Sequence, residues 1–396
     1  MLLSATNIVK AKAINLWVVF EAIRVNDAIS RSDISDATGL SKQAVSDLVD
    51  ELADLAFVEQ RRKNRSGVGK PPTLVSIRPD GAFTLGVDVE FDRLMCVAMN
   101  FAGDVLYRAD AELRDLRPEH AALDIAATAR QVIAMAGIPE ERLLGIGLAT
   151  PGPFAVPGLA PPRLPDWDGI KLRELLVRST GLKVSLANDG QCAITAEWRF
   201  GETARHLSNF VYVSLGMGLG CGVMINGAAF GGASGNAGEL AHTTAVPGGN
   251  LCICGKRGCL ETYVSIDSAL RYLSEHGLDL PSPDAFDLLG PDHPLVKGWL
   301  DEAVEPLRTG LNTLENLFDP ETIMLGGNAP AWLIDTLIAR VQPLAPSVGR
   351  AHREMPPLVK ASLGRDSVAR GAAALPILAT LNPQYRQLTP FALNSP

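Results

Sequence analysis

Cys252, Cys254 and Cys259 fall within eight residues of the stretch HTTAVPGGNLCICGKRGCLE, which runs from His242 to Glu261. A C-x-C-x4-C spacing with a histidine upstream offers three thiolates and an imidazole. That is the soft four-ligand set that tetrahedral Zn2+ favours. Four protein ligands leave no open position for water, so such a site holds structure rather than performing chemistry. The chain has six histidines, and spacing alone does not choose His242 as the fourth ligand. Cys96, Cys192 and Cys221 stand singly in apolar segments and read as small buried hydrophobes. A reducing compartment disfavours disulfides for the clustered three.

Two other stretches have chemistry-bearing residue types. NDG at 188–190 opens a helix, where an Asp can cap the helix or act on a ligand. SLGMGLGCG at 214–222 is a glycine-rich turn between strands, the kind that lets backbone amides approach a phosphate. Alone, each is explained as readily by a cap and a turn.

The elements that must position these residues form an α/β body. TLGVDVE and LMCVAMN are short apolar strands from residue 84 on, followed by GDVLYRAD; NFVYVSLG and CGVMING repeat that layout. Helical stretches at 119–136, 189–200 and 295–318 alternate with strands. The repeat predicts two related subdomains with a cleft between them, a common seat for a small ligand. We divide the chain into 1–80, 81–190, 191–383 and a tail, 384–396, that is loosely ordered or docked as an extension.

The first 80 residues have a different texture. Ile8, Ile14, Trp17, Val18 and Ile23 recur at helical spacing. Ser30 is placed to cap a short helix over 31–38, with Asp33 at the capping-box position. Gly39 suits a left-handed turn, and Ser41 caps a second helix from 42 to about 56, with Ala44, Val45, Leu48, Val49, Leu52 and Leu55 inward. Two helices joined by a glycine turn are the helix-turn-helix signature. Lys42, Gln43, Ser46 and Asp47 then lie exposed where a recognition helix meets base edges. The segment from Phe57 to Pro79 reads as a two-stranded wing whose basic tip, around Arg65 and Lys70, suits DNA phosphates or a minor groove. A helical protein–protein module is the plainer alternative, but caps, turn, wing and charge agree on DNA. Affinity of a single copy should be weak, and a dimer reading two half-sites is the natural remedy.

Composition is consistent with this division. The chain of 396 residues is 47% hydrophobic and 20% charged, which excludes disorder and suits several domains. Net charge is −8, yet residues 1–80 hold eleven Lys/Arg against ten Asp/Glu, a net of +1, leaving −9 on the remainder. No apolar run is long enough to span a membrane, and the first residues lack a signal-peptide pattern, so a cytoplasmic location is expected.

The stretch GASGNAGELAHTTAVPGGNLCICGKRGCLE (232–261) resembles the signature of the ROK family, named for repressors, open reading frames and kinases. LATPGPFAVPGLAPPRLPDWDGIKL (148–172), ANDGQCAITAEW (187–198), SLGMGLGCGVMINGAAFGG (214–232) and LFDPETIMLGGN (317–328) resemble further family blocks, in the expected order. The resemblance implies a winged helix-turn-helix followed by two actin/hexokinase-like (ribonuclease H-like) α/β subdomains. It assigns His242, Cys252, Cys254 and Cys259 to zinc and Asn188, Asp189, Glu239, His242 and Glu261 to a sugar, with Ala241 where the family often has Gly. His242 can serve both because imidazole has two nitrogens. Asp189 would be the catalytic base in a kinase.

Family members with an N-terminal winged helix resemble sugar-responsive repressors; those without one are mostly kinases. The kinase pattern D-x-G-G-T after the first strand is replaced here by Asp88-Val89-Glu90-Phe91-Asp92-Arg93. Carboxylates at that place repel polyphosphate and Phe91 fills its space. The expectation is therefore a non-enzymatic regulator, with Asp189 a vestigial base, that binds operator DNA as a homodimer or homotetramer. A monosaccharide effector would change its fit to two half-sites. The alternatives are a sugar kinase with a regulatory head, and a DNA-binding scaffold that binds no sugar.

Overall fold

Helix α1 (Ile8–Val25) buries Val19, Phe20 and Ile23, while Val18 lies on its exposed side. The architecture comes from a computed structural model, which describes residues 8–62, 73–90, 92–152, 154, 167–348 and 354–385. Arg65, Lys70 and Phe91 lie outside the described residues.

A short strand β1 (Ile29–Ser30) leads into α2 (Arg31–Thr38) and, after a tight turn, α3 (Lys42–Asp54). Ser30 Oγ accepts from the Asp33 amide and Ser41 Oγ from the Ala44 amide, each at 3.2 Å, so both expected caps form. The box is incomplete: the Asp33 carboxylate accepts from the Ser30 hydroxyl instead of the Ser30 backbone amide. Gly39 takes φ +71 with nothing near its would-be Cβ, so the turn needs a glycine for its dihedral alone. α3 ends at Asp54, two residues earlier than expected, and Leu55 is 48% exposed instead of buried. The reason is that Leu55 caps the helix and Ala56 turns to positive φ. β2 (Val58–Arg62) and β3 (Thr73–Ile77) form the wing, and β1 pairs with β3 to complete a three-stranded sheet.

The body holds two five-stranded sheets. The first has β4 (Phe83–Glu90), β5 (Arg93–Asn100), β6 (Val105–Glu112), β7 (Leu143–Thr150) and β8 (Val184–Asn188) in the order β6-β5-β4-β7-β8. Between them run α4 (Pro118–Ala136) and α5 (Gly169–Thr180), with α6 (Asp189–Phe200) after β8. The second sheet has β9 (Phe210–Leu215), β10 (Leu219–Ile225) and β11 (Ala228–Ala229), then α7 (Ile266–Glu275) and α8 (Pro294–Phe318). It closes with β12 (Ile323–Gly326), α9 (Ala331–Arg340) and β13 (Leu358–Lys360), in the order β11-β10-β9-β12-β13. Each sheet is an antiparallel three-strand meander whose first strand also pairs in parallel with a later one. The internal repeat read from the sequence is thus a repeat of topology.

Each sheet has its own core. Leu85, Val87 and Ile146 pack against Ile125 of α4 and Leu172 and Leu176 of α5. Val211, Val213 and Leu325 pack against Leu307 and Leu311 of α8. The last helix, α10 (Ser367–Leu381), follows the second sheet in sequence but lies on the first. A Cβ at Gly86 would meet the Ala369 carbonyl at 1.9 Å, and one at Gly147 the Ala372 carbonyl at 1.7 Å. Only bare backbone on the strands lets this alanine-rich helix come so near. The C-terminal helix therefore does not pack as a simple member of a 191–383 unit. Beyond it Tyr385 is buried, so the start of the tail is docked.

The head shares a core with the body. Phe101, in the turn after β5, packs its ring 5.4 Å from Phe20 and 4.7 Å from Phe57, while Ile377 and Leu381 of α10 join the same cluster. Among the described residues no helix is long and apolar enough to cross a membrane.

Candidate functional site

Asn188, Asp189, Glu239, His242 and Glu261 line one cleft of about 100 Å3 between the two sheets. The strand β8 ends where α6 begins, which puts Asn188 at the N-cap and Asp189 in the first turn. Asn188 Oδ1 accepts from the Gln191 amide at 2.7 Å, so the capping role belongs to Asn188 and its Nδ2 donors stay available. Asp189 Oδ1 accepts from the Gly190 amide at 2.7 Å. From the second subdomain, Glu261 Oε1 accepts from the Leu219 amide at 3.2 Å. A Cβ at Gly218 would come within 2.7 Å of that oxygen, so the turn must stay bare there.

Burial dominates the electrostatics. It pushes the Asp189 carboxyl up to about 6, helped by the Glu90 charge. It raises Glu239 to about 7, helped by Asp189 and Glu261, and raises Glu261 as well. No Lys or Arg among the described residues lines this cleft. Crowded carboxylates without a cation repel an anion and accept hydrogen bonds from hydroxyls, so a neutral polyol suits the cleft better than a sugar phosphate.

His242, Cys252, Cys254 and Cys259 come together beside it, with one ligand atom from each lying within 4.8 Å of all the others. Cys252 Sγ is 3.5 Å from His242 Nδ1, and Cys254 Sγ is 3.5 Å from Cys259 Sγ. Sulfurs at that separation are far from disulfide bonding, and all six cysteines are free. Zn–S bonds of about 2.3 Å at a tetrahedral centre put sulfurs roughly 3.8 Å apart. The four residues thus fit a metal of that kind. Burial, followed by the Lys256 charge, lowers the His242 pKa, which keeps the ring in its neutral, ligating form. His242 turns Nδ1 to the sulfurs and Nε2 toward Glu239 Oε2, 3.8 Å away. One ring therefore touches both the thiol cluster and the cleft.

A larger cavity of about 500 Å3 adjoins the cleft, where the glycine-rich turn meets the end of β4. Glu90 enters it from β4. Its Oε1 accepts from the Met217 amide at 3.3 Å and its Oε2 from Asn328 Nδ2 at 2.8 Å. Gly216 lies so close that a Cβ there would sit 3.0 Å from Oε1. Asp88 is buried beneath, and burial with the nearby Glu90 and Asp189 charges raises its pKa well above the usual range. Asp92 is exposed and does not line the cavity, so of the two added carboxylates only Glu90 faces it. The sequence marked Glu90 as repulsive; it did not reveal that Glu90 binds the turn itself. Its signal was a long side chain at a glycine position.

In the head, Ser41, Lys42 and Gln43 are exposed at the start of α3. Gln43 Nε2 donates to Asp47 Oδ1 at 2.8 Å. Ser46, expected to be exposed, is half-buried, and its Oγ accepts from Arg31 Nη1 at 2.6 Å. Arg31 also pairs with Asp50 and so clamps α2 to α3, a role its place in the sequence did not disclose.

Fold and site together define a body of two α/β lobes with a carboxylate-lined cleft between them, and a head of three helices and a three-stranded sheet. The ROK family model matches residues 84–378, and the chain belongs to the ROK family. The xylose repressor of Caldicellulosiruptor bescii is 29% identical over 80% of this chain and 84% of its own length. A solved ROK family transcriptional regulator, a homologue of the E. coli MLC protein, superposes with a TM-score of 0.72 at 22% identity, covering 93% of this chain and 96% of that one. The ROK hexokinase of Thermus thermophilus superposes at 0.58 with 28% identity, covering 74% of this chain and 96% of its own.

Proposed function

We propose that this chain is a sugar-responsive, DNA-binding transcriptional repressor of carbohydrate-utilisation genes. The observation that carries the reading is the pairing of a carboxylate cleft, with no Lys or Arg among its described lining residues, with a phosphate turn closed by Glu90. The first suits a neutral monosaccharide held by Asn188, Asp189, Glu239, His242 and Glu261. The second leaves no bare turn for a nucleotide phosphate. Likeness to a repressor over most of both chains supports the same reading.

Zinc held by His242, Cys252, Cys254 and Cys259 would fix one wall of the cleft and fix His242 and Glu261 with it. The metal supplies structure; the hydroxyl-binding groups are the chain's own. Lys42 and Gln43, with Ser41 capping the helix, would meet the major groove, and Arg65 and Lys70 the backbone or minor groove. Sugar binding would draw the two lobes together and, in a homodimer or homotetramer, alter the spacing of paired α3 helices. The sugar can shift DNA affinity only by its differential affinity for the two arrangements.

The test is a thermal-shift titration of zinc-loaded protein against monosaccharides and their phosphates. A neutral sugar at 100 times its dissociation constant should add about 2.7 kcal/mol of stability. A shift with neutral sugars that vanishes in Asp189→Ala supports the reading; a shift that persists in that variant overturns the cleft assignment. A sugar-kinase reading is favoured by the raised pKa of Asp189, which suits a base, and by the likeness to a ROK hexokinase. It predicts ATP consumption in the presence of the stabilising sugar, where our reading predicts none.

A further inference from the structure

A third cavity, of about 310 Å3, lies where the head meets the body, and four arginines line it. Arg24 comes from the end of α1, Arg199 from the end of α6, Arg205 from the turn that follows, and Arg370 from α10. Ile77 of the wing and the turn Phe101–Asp104 complete the wall. The site therefore touches the head and the part of the body formed by the turn after β5, the end of α6 and α10.

Some of this charge has a structural use. Arg24 Nη1 donates to the carbonyls of Trp198 and Arg199 at 3.3 and 3.1 Å, capping the C-terminal end of α6. Glu21 is shared, accepting from Arg24 Nε at 2.8 Å and from Arg199 Nη1 at 3.0 Å. Asp27 pairs with Arg205 at 3.2 Å, but its side chain is 81% exposed and the pair is weak. Asp104 accepts from Asn100 Nδ2 at 2.8 Å. Arg370 Nη2 has only a backbone acceptor in Gly103, at 3.3 Å. The Asp366 and Glu197 charges also act on Arg370, so four guanidiniums stand among five carboxylates, with Glu21 shared between two arginines.

The hydrogen bonds are nevertheless incomplete. The Nε–H groups of Arg199 and Arg370 are buried and have no acceptor among the described residues. Both guanidiniums stand near the ring of Phe200, at 6.0 and 5.5 Å from its centre. Arg199 is almost wholly enclosed, and burial, with the Arg24 charge adding to it, pulls its pKa down to about 10. A buried donor left without an acceptor is costly, and guanidiniums are shaped for bidentate oxyanions.

The geometry points to a second ligand site at the head–body junction, one that takes a phosphate group, either free or as the monoester of a small metabolite. Such an anion pairs with guanidinium groups that line the cavity and bridges α1, α6 and α10. The carboxylate cleft rejects the same chemistry, so the two sites sort their ligands by charge. This inference does not rest on the sugar reading, and its test needs no sugar.

The full-length protein is titrated with inorganic phosphate and separately with glycerol phosphate, at constant ionic strength against chloride. Thermal unfolding and calorimetry follow binding. Saturable stabilisation of the wild type is expected, with an apparent affinity about tenfold weaker in Arg370→Lys and in Arg205→Ala, the loss expected from one charge-assisted hydrogen bond. Arg205 is partly exposed, so its variant keeps the comparison valid if Arg370→Lys fails to fold. Tighter binding of the ester identifies a phosphorylated metabolite and equal or weaker binding of the ester identifies free phosphate; both support the site. No stabilisation beyond chloride, or equal affinity in wild type and variants, overturns it.

Discussion

Glu90 Oε2 accepts a hydrogen bond from Asn328 Nδ2 at 2.8 Å, joining residues 238 positions apart and the two lobes that carry them. The same carboxylate takes the Met217 amide, and the nearby Arg93–Asp284 pair, at 2.6 Å, spans the same gap. The chain's own carboxylate thus occupies a turn that could otherwise receive phosphate. Glu90→Ala leaves the donors of Met217 and Asn328 without their acceptor. It should cost about 1–3 kcal/mol and speed hydrogen exchange at the Met217 amide. Unchanged exchange there would show that the contact does not hold the lobes.

Asp189 gives a pH prediction of definite sign. Its carboxyl titrates at about 6 in the fold, above the ordinary value near 3.8. The native state therefore holds the proton more tightly than the unfolded chain. The resulting stability is lost as pH rises from about 4 through about 6. Asp189→Asn should match wild type near pH 4 and exceed it by up to about 3 kcal/mol near pH 8, read from denaturant unfolding. A constant difference across that window would remove burial as the cause.

The thiol cluster predicts about one zinc per chain and near-complete loss of it in Cys254→Ser, measured by elemental analysis. Because His242 faces both the thiols and Glu239, metal loss should also weaken sugar-induced stabilisation. Full metal content in the variant would remove Cys254 from the ligand set.

Gln43 is exposed and touches only Asp47 among the described residues, so Gln43→Ala should change stability by less than about 0.5 kcal/mol. On operators recovered by in vitro selection, it should relax discrimination at one position by about 1–3 kcal/mol. Identical selected sequences for wild type and variant would mean that Gln43 does not read bases. Ser46→Ala acts differently: it loosens the Arg31 clamp, so its effect on DNA should come with lost stability.

Much was determined by the sequence itself, wherever the controlling interactions are local. Serines at 30 and 41 cap helices because the partner amides are three residues on. The cysteine spacing folds on itself within one loop, so the clustering of the three thiols was legible. The repeated strand pattern announced two alike lobes, since alternation and turns are short-range properties. Tertiary structure alone decided what depends on distant partners. The bare backbone at Gly86 and Gly147 matters only because α10 returns to the first sheet. Ser46 looked free until Arg31, 15 residues away, claimed its hydroxyl. Glu90 read as a repulsive substitution until Met217 and Asn328 faced it. Arg24, Arg199, Arg205 and Arg370 are unremarked singly and become a site only where three elements and a turn meet. Periodicity and caps act over a few residues, whereas a cavity is defined by side chains whose proximity no local pattern encodes.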